Sequence, residues 1–492
     1  MYSRQAPLRA GIDFQHEATV RELARGEFPP RHNLIAGHAP QGHYGPYFVA
    51  LGGIARVTGA RPRVVLYVAG VLGAMALAAA FGGVTWRLAG AEAASWSPWC
   101  AALLWGPWPA PVMEWSAWGW PGTTSPADAQ NFYYPQHAAL VLLLVIVGLL
   151  LPREDAAGHS HPRITTESPR WIAAFLLGAV LVATHPLTGL ALAIVTVALA
   201  AAAIVERRGT MGSGPAWRVA VLLLLPPLAL GLAALWPYYP VLGLLDAFTH
   251  SGIRQSTAAL VSSSLPPAGP RGAFVPPAPT PLLSLLGPAV VGLAGLVILA
   301  RRRQWFVPLW LTFGLAAVFC PWLPLRQRLL MFLAPPLHIG ASVLLASPRR
   351  AVRAGVVALL LAGALSAALR ARWVLTHEPL DLSFLPPLVP ENAVMLSDPR
   401  TSNAVAGLTG RKIVAPEGPD VFLILAGGWQ RNIDVERFLD PKTADTERRA
   451  ILDRWQATHV LVDTMAYGGP RLPYPRLYEG GGFVLYDARA PR

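Results

Sequence analysis

Asp13, His16 and Glu17 stand within five residues of one another, in Gly11-Ile12-Asp13-Phe14-Gln15-His16-Glu17. If residues 13–25 are helical, spacings of three and four put all three on one face. A carboxylate there can take a proton from an attacking hydroxyl, or hold a divalent cation, Mg or Mn, through hard oxygen. The other reading is an Asp that N-caps the helix behind it. Farther on, Glu114 and Asp128 are the only carboxylates between residues 113 and 135, and Arg326 and Arg328 stand at the head of an apolar run. His185, in Thr184-His185-Pro186-Leu187-Thr188-Gly189, is polar at membrane depth, which marks a functional group by default. Its Pro and Gly neighbours favour a helix break whose freed carbonyls the His and Thr side chains satisfy. The stretch from Pro237 to Pro281, with Tyr238, Tyr239, Asp246, His250 and Arg254, reads as a substrate lid or as a plain connection. No Walker motif, zinc-type Cys/His spacing or nucleophile elbow occurs.

The elements that must position these residues are set by an apolar composition. Hydrophobic residues make up 53% of the 492 and charged residues 14%, with a mean hydropathy of +0.42, against roughly 25% charged in soluble domains. Apolar runs recur at 64–88, 95–112, 136–151, 171–187, 188–205, 217–236, 282–300, 305–322, 328–346 and 351–373, which reads as about ten membrane spans. The fold class is therefore mainly α, a polytopic transmembrane bundle. The formal charge of +13 lies in short arginine clusters between spans rather than along one face, which argues for topology signals and against nucleic acid. Cys100 and Cys320 are the only cysteines, so no disulfide framework is implied.

Basic residues fall in every second connection: Arg87; Arg153, Arg163 and Arg170; Arg207 and Arg208; Arg301 to Arg303; Arg349, Arg350 and Arg353. The intervening connections are rich in Trp, Tyr, Pro and Gly, as expected of an outer face. This alternation puts the first outer loop, 1–63, and the C-terminal domain, 374–492, outside, joined by a transmembrane domain over 64–373. A polar N-terminus on that side needs a hydrophobic segment before it, so we expect one further transmembrane helix upstream of Met1, unaided N-out insertion being the alternative. Near-complete use of Arg over Lys, with Lys412 and Lys442 the exceptions, fits a GC-rich bacterial genome, and the location expected for such a multi-span chain is the cell inner membrane.

Beyond Thr376 the long apolar runs end. Residues 393–397, 411–414, 459–463 and 482–486 read as strands, and 401–408 and 444–458 have helical spacing, so we expect a small extracytoplasmic α/β domain. Ser397-Asp398-Pro399-Arg400 and Asp463 fall at strand ends, with no Gly-rich phosphate fingerprint to assign them a role.

The order Asp13, His16, Gly26-Glu27-Phe28-Pro29, then Tyr44-Gly45-Pro46-Tyr47 leading into an apolar helix, resembles the first outer loop of the GT-C glycosyltransferases. These polytopic enzymes use polyprenyl-phosphate-linked sugars and include oligosaccharyltransferases, protein mannosyltransferases and aminoarabinose transferases. The two following spans, the acidic second loop and the C-terminal outer domain extend the likeness over most of the chain. The resemblance implies a catalytic base at Asp13 and an acidic second-loop position at Glu114 or Asp128. With no Asp-x-Asp pair there, metal binding by Asp13 and Asp128 is the weaker part of it. Tyr133, in Asn131-Phe132-Tyr133-Tyr134-Pro135, can hold a sugar ring or serve as an interface anchor. Arg326 and Arg328 would fork onto the departing lipid phosphate or snorkel to headgroups, and His16, Glu17, His185 and Tyr239 would line the substrate site. The partners implied are membrane lipid and a polyprenyl-phosphate sugar. Two other readings are a lipid transporter or flippase, against which no repeated halves are visible, and a non-catalytic member of the same fold.

Overall fold

The computed structural model describes residues 11–37, 43–104, 135–151, 164–207, 216–244, 286–320, 329, 332–347, 349–376, 381–416, 428–467 and 472–489. The chain forms two compact units: residues 1–66, 237–267 and 377–492 in the first, 67–236 and 268–376 in the second.

Helices α1 (Gly11–Ala24) and α2 (Pro46–Thr58) open the first unit. Pro46 begins α2, where its missing N–H costs nothing. A run of helices follows: α3 (Pro62–Ala89), which starts in the first unit, α4 (Ala91–Leu103), α5 (Pro135–Leu150), α6 (Ile164–Thr184), α7 (Pro186–Arg207), α8 (Ala216–Ala233), α9 (Leu286–Arg301), α10 (Phe306–Phe319), α11 (Ala334–Leu345) and α12 (Arg350–Thr376). Among the described residues, Pro62–Ala89, Pro186–Glu206 and Ala216–Ala233 are long and apolar enough to cross a membrane, and five shorter apolar helices accompany them. On α3, Val68, Val71, Leu72 and Met75 are all more than half exposed. Such a row suits hydrocarbon and would be penalised in water. The chain is a membrane protein.

Within the second unit α9 packs on α11, α11 on α4, α6 on α5 and α8, and α7 on α8 and α10. The α9–α11 contact rests on small residues. A Cβ built on Gly295 would lie 1.7 Å from the Gly340 carbonyl oxygen, and one on Gly340 would lie 2.3 Å from that of Gly292. Only glycine lets two helix backbones approach so closely. Helix ends are tied by charge: Arg87 donates to the Gly148 carbonyl, and Arg170 Nη2 donates to those of Leu149 at 2.5 Å and Leu151 at 3.1 Å. Those carbonyls close α5 and have no intrahelical donor. Arg353 pairs with Glu92 at 2.8 Å.

The C-terminal part of the first unit carries β1 (Val394–Leu396), β2 (Lys412–Ile413), β3 (His459–Asp463), β4 (Arg476–Gly480) and β5 (Phe483–Asp487). They form one sheet in the order β2-β1-β3-β5-β4. Strand β1 is parallel to β2 and β3, whereas β5 is antiparallel to β3 and β4. The helices here are α13 (Leu385–Leu388), α14 (Pro399–Thr409), α15 (Gly428–Leu439), α16 (Asp445–Trp455) and α17 (Thr464–Tyr467). The Asp398 carboxylate accepts the Thr401 N–H at 3.0 Å and caps α14. Alternation along the strands feeds two cores. Met395, Ile413, Leu461, Phe483 and Leu485 face α14, together with Phe14 and Ala18 of α1 and with Leu34 and Ile35. Val394, Leu396, Val460, Val462 and Tyr486 face Val435 and Phe438 of α15 and Ile451 of α16.

Candidate functional site

Helix α1 is a polar helix with almost no exposed face. Gln15, His16, Glu17, Thr19 and Glu22 are all buried, so each must find a partner inside the unit. Thr19 Oγ1 donates to the Gln15 carbonyl at 2.8 Å, and Asn33 Nδ2 donates to Thr19 Oγ1 at 2.8 Å and to the same carbonyl at 3.3 Å. His16 packs on the Phe48 ring at 4.9 Å between centroids and meets His43 edge-on at 5.6 Å. Burial, with His43 beside it, holds its pKa well below the usual histidine value, so the ring is neutral.

Glu17 points to a different set of neighbours. Arg63 Nη2 and Nε lie 3.0 and 3.2 Å from its Oε2, and Arg21 Nη2 lies 3.5 Å from Oε1. Burial raises its pKa, and Arg63 and Arg21 offset part of that rise. Its neighbour at the next turn, Glu22, pairs with Lys412 Nζ at 2.9 Å and Arg25 Nη1 at 3.3 Å. Lys412 also donates to the His32 carbonyl at 2.6 Å. Burial pulls the Lys412 pKa down, with Glu22 opposing.

His32 builds the turn that follows. Its Nδ1 accepts the backbone N–H of Leu34 at 3.1 Å and of Ile35 at 3.2 Å. Burial, with Lys412, His43 and Arg431 nearby, lowers its pKa from 6.5 to about 3. An unfolded chain takes up this proton near pH 6.5 and the folded one resists until about 3. The neutral ring's contribution is therefore complete above 6.5 and falls toward pH 3, by roughly 1.4 kcal/mol per pH unit. We expect the melting temperature of detergent-solubilised protein to drop between about pH 6 and about pH 4, and His32→Asn, whose amide oxygen can accept the same N–H groups without titrating, to flatten that slope. A wild-type and a variant slope that coincide would refute this account.

The candidates read from the sequence fall into three groups. Asp13 is in the first turn of α1, its side chain outside the described residues, as are Glu114, Asp128, Tyr133, Arg326 and Arg328 in full. His16 and Glu17 lie side by side on α1 but engage separate partners. Tyr239 is buried in the first unit, with its phenol pKa raised by burial, and its neighbour Tyr238 meets Phe28 edge-on at 5.3 Å. In the second unit, His185 sits between α6 and α7 with Nδ1 2.7 Å from Thr188 Oγ1, and its carbonyl accepts the N–H of Thr188 at 2.9 Å. Among the described residues no group of three or more His, Cys, Asp or Glu side chains is arranged to hold a metal.

Reading the sequence passed over Arg63, Lys412 and His32. Arg63 carries the same signal used for Arg326 and Arg328, a guanidinium at the head of an apolar run. Lys412 stands out as one of two lysines in an arginine-rich chain. Nothing local marks His32.

Neither a protein-family model nor a curated protein matches the sequence. Solved structures do match in fold. The apo oligosaccharyltransferase of Archaeoglobus fulgidus aligns over 93% of this chain and 66% of its own, with a TM-score of 0.54 and 14% identity. AglB from the same archaeon, in complex with an inhibitory peptide and a dolichol-phosphate, aligns over 98% of this chain and 71% of its own, at 0.54 and 14%. ArnT from Cupriavidus metallidurans bound to undecaprenyl phosphate aligns over 97% of this chain and 94% of its own, at 0.53 and 14%. This chain thus spans about two thirds of the length of the archaeal proteins and nearly all of ArnT.

Proposed function

Since this membrane protein has the GT-C glycosyltransferase fold, we propose that it transfers a sugar from a polyprenyl-phosphate-linked donor to an acceptor on the outer face of a bacterial inner membrane. The observation that carries the reading is the end-to-end likeness to a chain that holds undecaprenyl phosphate, 97% of this one and 94% of that. The buried first-loop helix that bears Asp13 supports it, because a general base must be held rigidly to act.

In the proposed reaction Asp13 takes the proton of the acceptor hydroxyl as its oxygen attacks the anomeric carbon. The bond from that carbon to the phosphate oxygen breaks on the opposite face, so the configuration inverts and the lipid phosphate leaves with the electron pair. Arg326 and Arg328 stabilise the charge that grows on it. Glu114, Asp128 and Tyr133 in the second loop, with Tyr239 and His185, bind sugar and acceptor. His16 and Glu17 serve the same site from α1, His16 as a neutral ring and Glu17 as the ion-pair partner of Arg63 and Arg21.

The test is an assay of the purified protein against a panel of polyprenyl-phosphate sugars, with products read by mass spectrometry and anomeric configuration by NMR. One donor is expected to be consumed, with release of free polyprenyl phosphate and inversion at the transferred sugar. Silence across the panel, with the protein monodisperse, would refute the reading. Running each arm in EDTA and then in Mg or Mn decides whether transfer needs a cation: loss on chelation with recovery on addition shows that it does, and a raised Mg or Mn requirement in Asp128→Asn would assign Asp128 as a ligand.

A further inference from the structure

We infer that the C-terminal sheet subdomain is the positioning device for α1, and through it for Asp13; this rests on the reaction proposed above. Three attachments carry the inference, all within the first unit. The residue next to Asp13, Phe14, lies directly on Gly407 of α14: a Cβ at 407 would meet Phe14 Cβ and carbonyl O at 2.6 Å and its Cα at 2.7 Å. One turn from the end of α1, Arg21 Nη2 donates to the Gly407 carbonyl at 2.7 Å, and Glu22 accepts from Lys412 of β2 at 2.9 Å. The segment after α1 then runs along β2, where the Ile413 N–H donates to the Leu34 carbonyl at 2.8 Å.

Backbone meets backbone at Gly407, so the place of Phe14, and of the residue before it, is fixed by α14 rather than by an adaptable side chain. Reaction rate depends steeply on such placement, a shift of about 1 Å costing on the order of a hundredfold. Gly407 and Lys412 touch no reacting atom in this account; they are positioning residues for the base.

The experiment compares wild type with Gly407→Ala, Lys412→Met and Lys412→Arg, all as full chains in detergent. Donor kcat and KM are read alongside hydrogen exchange of the α1 amides. Gly407→Ala forces α1 off α14 by about 1 Å, given ordinary carbon contacts near 3.7 Å, and is expected to lower kcat by about ten- to a hundredfold with KM changed less than about twofold. Lys412→Met inserts nothing into a packed contact and so guards against misfolding of the first variant. It is expected to lower kcat and speed exchange in α1, with Lys412→Arg recovering most of both. Wild-type kcat in Gly407→Ala and Lys412→Met overturns the inference, even where exchange has quickened. If wild type transfers no sugar from any donor, the reaction itself fails. Exchange in Lys412→Met then decides the attachment, supported by lost protection of α1 and overturned by unchanged protection.

Discussion

Asp13→Ala is expected to lower sugar transfer by at least about a hundredfold while leaving the protein inserted and monodisperse, because a general base contributes about 10²–10⁴ to rate. The more discriminating variant is Asp13→Asn. Asp13 lies inside the first turn of α1 rather than before it, so the N-cap reading gives way to a carboxylate that steadies that turn; asparagine keeps the size and an accepting oxygen there but cannot take the acceptor's proton. If Asp13 only steadies α1, the asparagine variant keeps its activity. If Asp13 is the base, activity falls as far as in the alanine variant while α1 keeps its hydrogen-exchange protection. Retained transfer in Asp13→Asn would sink the mechanism without disturbing the fold.

Gly295→Leu is expected to separate α9 from α11 and to give the largest loss of stability of any single change considered. At 295 even a Cβ would sit 1.7 Å from a backbone oxygen, and Gly292 has the same relation to the Leu337 carbonyl at 2.4 Å. A main-chain oxygen cannot rotate out of the way as a side chain can. The helices must move apart, and packing is lost along the whole seam. Overpacking of a close contact costs about 1–3 kcal/mol, and the shortness of this one puts the expected cost at about the top of that range. Gly231→Leu on α8, with nothing within 4 Å of the position, is the matched control. Thermal melts in detergent should show Gly295→Leu well below wild type and Gly231→Leu beside it; coincident melts would contradict the packing argument.

How far the sequence revealed this arrangement depended on whether the decisive interactions were local. The break at His185-Pro186 was legible because a proline lacks the N–H that would continue the helix and clashes with the turn before it, and α6 ends and α7 begins there, although Pro98, Pro169, Pro226 and Pro227 are carried inside helices. Strands β1, β3 and β5 were legible from their apolar runs. Strand β4 was not: Arg476-Leu477-Tyr478-Glu479-Gly480 lies at the sheet edge, largely exposed, and carries no alternation to read. Helix α15 was missed as well, its strongly polar sequence hiding the buried Val435, Phe438 and Leu439.

The site shows the same division. The acidic stretch of α1 announced itself by residue type, yet nothing in its composition says that it is buried. The groups that neutralise it, Arg63 and Lys412, come from positions 46 and 390 residues away. The composition changes near 63 and 374 mark where the long apolar runs begin and end. They are blind to which distant segment it packs against next, and here residues 1–66 and 377–492 share a unit.

That sharing constrains the order of assembly. The pairs Lys412–Glu22 and Ile413–Leu34 bring together stretches far apart in the chain, 390 residues in the first case, with helices α3 to α12 between them. Until the ribosome has delivered β2, the polar face of α1 has no cation from that side and the sheet core lacks nothing only because it does not yet exist. Contacts of such wide separation form slowly, since the intervening loop must close before they return any energy. The N-terminal helix α1 is therefore completed late, by residues about 390 positions downstream of it.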